Sequence, residues 1–228
     1  MEIMRHELKY HLQRSVFRSL QNNLARILSV DVNGSEAGYR VRSLYFDTLD
    51  DLDLHASLDG VSSRHKLRLR YYNDDVEHVK LELKIKEGYR SYKKSIVLNQ
   101  KEVEELLLGR VQFLANHKAA DAQLFLTIFQ HSSYRPKVMV EYHRIAYVHA
   151  FSNLRICYDT DIRISSRNTS FLEQHVPWIP LMDVTEGVFE VKYDEWILTS
   201  VQMLLGRVET NAVAFSKYVS ARMRTGGL

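Results

Sequence analysis

Apolar and polar residues alternate with a period of two along several stretches of this chain and recur at helical spacing along others. Residues 3–10 read as a short strand, followed by a helix over 12–28 in which Leu12, Val16, Leu20, Leu24 and Ile27 share one face. Residues 39–47, rich in Val, Tyr, Leu and Phe and closed by Asp47-Thr48, predict a strand ending in a turn. A short helix fits 50–58. Strands follow at 66–72, 79–86 and 92–98, separated by Asn73-Asp74-Asp75 and Glu87-Gly88 as turn signals. Helices are expected at 101–108 and 119–131, strands at 138–149, 154–161 and 189–193, and helices again at 199–205 and 212–223. About eight strands, mostly hairpin-linked, predict an α+β fold: an antiparallel eight-stranded β-barrel with helices packed outside. No repeat, linker or charge block divides the chain, so residues 1–228 are expected to form one domain.

The polar faces of these strands are unusual. Lys66, Arg68 and Arg70 share a face against Leu67, Leu69 and Tyr71, while Glu82, Lys84 and Lys86 share one against Leu81, Leu83 and Ile85. Arg5, Glu7 and Lys9 alternate with Met4, His6 and Leu8, and Glu190 and Lys192 with Phe189 and Val191. Tyr142 and Arg144 oppose Glu141 and His143, and Arg155 opposes Leu154 and Ile156. Two readings stay open on this pattern. Charged faces of ordinary strands point into water. Yet a solvated face also uses Ser, Thr, Asn and Gln, and these faces are nearly all Lys, Arg or Glu. The second reading packs the apolar faces against outer helices and turns the charged faces toward a wet, mostly positive interior. Like charges gathered there require a polyanion, such as phosphate held by charge-assisted hydrogen bonds with a divalent cation.

Composition sharpens this only in part. A net charge of +3 provides no global basic field, so the location of each cation matters more than the total. The single cysteine, Cys157, excludes an internal disulfide framework and fits a reducing compartment. No apolar run approaches the roughly 20 residues of a membrane span, and residues 1–10 carry charge where a signal peptide needs an apolar segment. A cytoplasmic protein is the expectation.

The segments Glu7-Leu8-Lys9-Tyr10, Arg42-Ser43-Leu44-Tyr45-Phe46-Asp47-Thr48, Lys66-Leu67-Arg68-Leu69-Arg70-Tyr71-Tyr72 and Glu82-Leu83-Lys84 occur in that order. Glu141-Tyr142-His143-Arg144, Leu154-Arg155-Ile156, Phe189-Glu190-Val191-Lys192-Tyr193 and Phe215-Ser216-Lys217-Tyr218 follow. This succession resembles the VTC domain, the polyphosphate polymerase branch of the triphosphate tunnel metalloenzymes. The resemblance implies a barrel tunnel that binds a triphosphate or a growing phosphate chain, with ATP as phosphate donor and Mn²⁺ or Mg²⁺ as cofactor. It implies catalytic phosphate ligands at Lys9, Arg68, Arg70, Lys84, Lys94 (or its neighbour Lys93), Arg144, Arg155 and Lys217, with Lys192 beside the metal carboxylate Glu190. Glu7 and Glu82 are further metal candidates, while Tyr142, Ser216, Lys66, Lys86 and Arg5 are expected to contribute to substrate binding. Hydrolytic and cyclase relatives carry ExExK on the first strand; here Arg5 replaces the first Glu, which favours the polymerase branch.

Other chemistries fit less well. His6, Glu7 and His11 are one residue too widely spaced for HExxH, and no phosphate-binding glycine motif is present. Asp47, Asp50, Asp51 and Asp53 lack the Gly and closing Glu of a calcium loop and suit turn and cap duty. Tyr71, Tyr72 and Tyr89 among basic residues lack the charge excess of a single-strand nucleic-acid binder, so no nucleic-acid partner is expected. Cys157 reads as a strand residue, and Trp178 and Trp196 as packing. The expected function is an ATP-dependent polyphosphate polymerase. The alternatives are a tunnel triphosphatase, or a module that binds polyphosphate or inositol polyphosphate without turnover. A separate membrane partner remains open.

Overall fold

The fold is described from a computed structural model, which describes residues 6–32, 34–88, 90–194, 196–206 and 211–226. Arg5 and Tyr89 lie outside the described residues. In chain order the elements are β1 (His6–Gln13), α1 (Arg14–Ile27), β2 (Ser29–Val30), β3 (Tyr39–Asp47), α2 (Leu52–Leu58) and β4 (Ser63–Tyr72). Next come β5 (Val79–Glu87), β6 (Arg90–Leu98), α3 (Gln100–Leu107), α4 (Ala122–His131), β7 (Arg135–Val148) and β8 (Arg155–Ser165). The chain continues with β9 (Ile179–Pro180), β10 (Glu186–Tyr193), α5 (Thr199–Leu205) and α6 (Lys217–Arg224). The architecture is mixed α+β with a large antiparallel sheet. Among the described residues no pairing joins β6 to β1, the step that would close an eight-stranded barrel.

Two compact units divide the chain. The first comprises Met1–Arg40, Glu141–Arg163 and Pro180–Ser216. Its strands run in the order β1-β10-β8-β7, and β2 adds to β7. One sheet face is apolar: Leu12, Leu154, Ile156, Tyr158, Phe189 and Val191 pack on Phe17, Leu20 and Leu24 of α1 and on Val201 and Leu204 of α5. Burial of these side chains is worth about 1.5–3 kcal/mol each before the entropy cost of ordering. The helix expected from residue 12 starts at Arg14, because Leu12 is still a strand residue pairing with Gly187. Leu12 fits both periods, since the strand's apolar face and the helix's apolar stripe enter one core.

The second unit comprises Val41–Val140, Ile164–Ile179 and Lys217–Leu228. Here β3, β4, β5 and β6 are consecutive antiparallel neighbours. Asn73 at φ 53° follows β4, and Gly88 at φ 58° turns β5 into β6, a left-handed conformation that glycine adopts without strain. Leu44, Phe46, Leu67, Leu69, Leu81, Leu83, Ile96 and Leu98 face Val103 and Leu106 of α3 and Phe125 of α4. A capping box from Asn99 and Glu102 starts α3. Asp47, expected in turn and cap duty, accepts hydrogen bonds from the backbone N–H groups of Thr48, Asp53 and Leu54 at the start of α2.

Three other expectations change. The helix expected over 212–223 begins at Lys217; before it, Val213 N–H donates to the Lys9 carbonyl at 2.8 Å, within the first unit. β8 runs past Asp161, which takes φ 51°, to Ser165. Trp196, expected in packing, is 61% exposed.

Candidate functional site

In the second unit the register places the polar residues of four strands in rows on the face opposite the core. Tyr45, Arg68, Glu82 and Ser95 make one row, and Ser43, Arg70, Lys80 and Val97 the next. In the other direction follow Lys66, Lys84 and Lys93, then Arg64, Lys86 and Ser91. Exposure rises along this stripe: Arg70 and Glu82 are buried, Lys66 and Arg64 half-buried, and Lys84, Lys86 and Lys93 exposed. The only carboxylate in these rows is Glu82.

Glu82 organises the buried end. It accepts from Arg68 Nε at 2.8 Å and lies 2.7 Å from Arg68 Nη2, 3.9 Å from Arg70 Nη1 and 3.4 Å from Lys93 Nζ. Burial disfavours its charged form, but Arg68, Arg70 and Lys93 outweigh burial and hold its carboxyl down to about 2. Arg70 Nε donates to Ser43 Oγ at 3.0 Å, and Arg68 Nη1 donates to the Tyr45 hydroxyl at 3.3 Å. Glu82, a metal candidate from the sequence, is thus the anchor of two guanidinium groups. Lys94 stands apart from these rows. It pairs with Leu83, on the core side of β6, and its ammonium meets Asp121 at 3.0 Å; the charged-face lysine opposite Lys84 is Lys93. Lys217 is half-buried at the first position of α6.

In the first unit the charged face carries Glu7 and Lys9 on β1, Glu190 and Lys192 on β10, and Arg155 with Cys157 on β8. Lys9 is the register partner of Glu190, which pairs on its other side with Cys157; Glu7 partners Lys192, which partners Arg155. Glu190 is buried and ion-paired with Lys192. Lys9 Nζ lies 2.7 Å from Glu7 and donates to the Phe215 carbonyl at 2.9 Å. Arg155 Nη2 pairs with Asp31 at 2.8 Å and donates to the Tyr39 hydroxyl at 3.3 Å. Arg144 makes a bidentate pair with the buried Asp159, Nε and Nη2 donating at 2.7 and 2.8 Å, with its guanidinium 5.2 Å from the Tyr142 ring centroid. Burial works against the Arg144 charge, yet Asp159 and Tyr142 raise its pKa well above the usual arginine value. Ser216 is half-buried where this unit ends.

Tyr45, Ser43, Tyr39, Asp31, Asp159 and Lys80 were not singled out as site residues from the sequence. Period-two alternation could have placed Ser43, Tyr45 and Lys80 on the charged faces. Asp31 lies outside any long strand and carried no such signal.

The metal expected from the resemblance must be weighed against these donors. Among the described residues no group of three or more His, Cys, Asp or Glu side chains is placed to hold a metal ion. Glu7, Glu82 and Glu190 each meet a cationic side chain. Among the described residues no protein-only cage is therefore formed. A single buried carboxylate such as Glu190 does fit a hard cation whose other ligands are phosphate oxygens and water.

A sheet face with arginine and lysine clustered about the single carboxylate Glu82, and a second on which each of Lys9, Lys192, Arg155 and Arg144 meets an acid, define an α+β protein suited to phosphate-related chemistry. The chain belongs to the VTC domain family, which it matches over residues 4–224. No curated protein matches it. Among solved structures, a Bacillus halodurans protein provisionally assigned as an adenylate cyclase is 14% identical over 94% of both chains, with a TM-score of 0.55. A Vibrio parahaemolyticus protein with the same provisional assignment is 11% identical, covering 96% of this chain and 98% of that one at a TM-score of 0.53. At these identities the likeness concerns the fold alone.

Proposed function

We propose that this chain is an ATP-dependent polyphosphate polymerase, transferring the terminal phosphate of ATP to a growing phosphate chain and releasing ADP. The observation that carries this reading is the stripe from Arg70 to Lys86. Arg70 and Arg64 lie six positions apart on β4, about 20 Å at roughly 3.4 Å per residue. Three phosphates joined by two bridging oxygens span well under half that length, so the stripe suits a longer polyanion. Phosphoryl transfer needs positioning and charge neutralisation more than a covalent nucleophile. Arg68 and Arg70, preset by Glu82 and Ser43, suit the reacting phosphates, and the exposed Lys84, Lys86 and Lys93 suit a chain that must slide. Lys9, Arg144, Arg155 and Lys192 of the first unit, and Lys217 of the second, are proposed as further phosphate ligands.

The closed barrel tunnel of the family and a cytoplasmic location belong to the same proposal. No helix among the described residues is long and apolar enough to cross a membrane. Glu190 is the residue proposed to hold Mn²⁺ or Mg²⁺, with Lys192 turning from the carboxylate to phosphate. When bound, the metal neutralises phosphate charge.

Purified protein incubated with ATP and Mn²⁺ should yield ADP and long phosphate chains; free phosphate without polymer would refute the polymerase and favour a triphosphatase. The cation pairing of Glu7, Glu82 and Glu190 supports a second reading, a polyphosphate-binding module without turnover. Glu190→Ala separates the two. For a polymerase, turnover collapses while tripolyphosphate binding persists; for a module, even the wild type binds without turnover.

A further inference from the structure

Within the second unit, Tyr45 connects the basic stripe to α6. It is the register partner of Arg68, accepts from Arg68 Nη1 at 3.3 Å, and its ring centroid lies 5.9 Å from the guanidinium carbon. The same ring stacks on Tyr218 of α6, with centroids 5.1 Å apart and planes inclined by 29°. Tyr218 is itself fixed. Its hydroxyl donates to Asp47 and accepts from Arg222 Nη1 at 3.2 Å. Arg222 makes a bidentate pair with Asp51 at 2.7 and 2.8 Å, and Asp51 also meets Lys137 at 2.8 Å. A continuous set of partners therefore runs from α6 through two stacked tyrosines to Arg68, whose Nε and Nη2 are held by Glu82.

We infer that Tyr45, braced by Tyr218, is the positioning residue that presents the Arg68 guanidinium to the phosphate chain. The inference deepens the polymerase reading and rests on it for the identity of the ligand. An arginine side chain loses much rotamer freedom when it binds an anion; fixed beforehand from two sides, it loses little more. Glu82 fixes one edge of the guanidinium and Tyr45 the remaining nitrogen. Tyr45 is 4% exposed, so its hydroxyl depends on this internal partner.

Arg68, Arg70 and Lys66 of β4 surround Tyr45, with Glu82 of β5 beyond Arg68, Tyr218 and Arg222 on α6, and Asp47 on its own strand. Burial raises the phenol, but Arg68, Arg70 and Lys66 outweigh it and bring the group down to about 8. Above that pH a phenolate would sit against the cation it positions and cancel part of the charge offered to phosphate.

The test uses the full chain, with tripolyphosphate as the probe in titration calorimetry and ATP turnover as a second readout. Tyr45→Phe keeps the ring and loses the hydroxyl. It should weaken tripolyphosphate binding about fivefold and raise the KM for ATP more than it lowers kcat. Wild type should lose affinity between pH 7 and 9 as Tyr45 ionises, and Tyr45→Phe should lose less. In an Arg68→Ala background, Tyr45→Phe should have no further effect. Unchanged binding by Tyr45→Phe, or an undiminished effect without Arg68, would overturn the inference. Tyr218→Phe keeps the ring stack and should lose less affinity than Tyr218→Leu, which should bind as weakly as Tyr45→Phe. Equal losses in both Tyr218 variants would refute the brace. If wild type makes no polymer while these affinity differences hold, the polymerase reading fails alone.

Discussion

Arg68 and Glu82 are register partners across the β4–β5 pairing, and the carboxylate takes both Nε and Nη2 of the guanidinium, at 2.8 and 2.7 Å. The pair lies in the most buried part of a cationic stripe, so the acid contributes to stability as well as to the placement of charge.

Glu82→Gln should destabilise the protein at pH 7 by about 3 kcal/mol, because a buried cation pair loses its counter-charge. The folded carboxyl is held at about 2, below its ordinary 4.5. Its stabilising contribution is therefore complete above pH 4.5 and lost as pH falls toward 2. Urea unfolding of wild type and variant should converge across that window; a constant difference would contradict the assignment.

Asp53 behaves in the opposite sense. Burial, with Asp47 adding to it, pushes its carboxyl up to about 7 against the hydrogen bond from Tyr134 and the charge of Lys66. A raised acid stabilises the fold most below its ordinary 3.8 and loses that contribution as pH rises through 7. Asp53→Asn should gain about 3–4 kcal/mol relative to wild type between pH 4 and pH 8, read from thermal unfolding. Parallel pH profiles would rule this out.

In the first unit, Asp159→Asn should cost about 3–5 kcal/mol by leaving the Arg144 guanidinium without its buried counter-ion. Arg144→Lys should also destabilise, since an ammonium cannot reproduce the bidentate geometry. Denaturant midpoints measure both; an unchanged midpoint for Asp159→Asn would show that the pair carries no stability.

Lys93 and Lys94 provide a direct comparison of adjacent residues on opposite faces. Lys93→Ala should weaken tripolyphosphate binding about three- to tenfold, while Lys94→Ala should change it by less than about twofold. Calorimetry of the two variants decides it, and the reverse order would refute the register-based assignment.

Much of the architecture was legible before any coordinates. Alternation on β4 and β5 separated Leu67, Leu69, Leu81 and Leu83 from Arg68, Arg70, Glu82 and Lys84, as the sheet does. Face membership follows from a local rule, because successive side chains point to opposite sides of any strand. Boundaries were less legible where two periods coincide, as at Leu12, or where a segment that is neither helix nor strand precedes a helix, as at 211–216. The choice between Lys93 and Lys94 was equally ambiguous locally, since both lie in one short run of β6.

The sequence by itself determined which residues share a face, where the cations concentrate and which family the chain resembles. Tertiary structure alone decided the partners. Glu82 became a clamp for Arg68 and Arg70, Glu190 a partner of Lys192, and Asp159 the counter-ion of Arg144. It also put Tyr45 between Arg68 and Tyr218. The physical reason is that periodicity arises within one strand, whereas ion pairing and stacking depend on register between segments far apart in the chain, which hydrogen bonding and core packing establish only on folding.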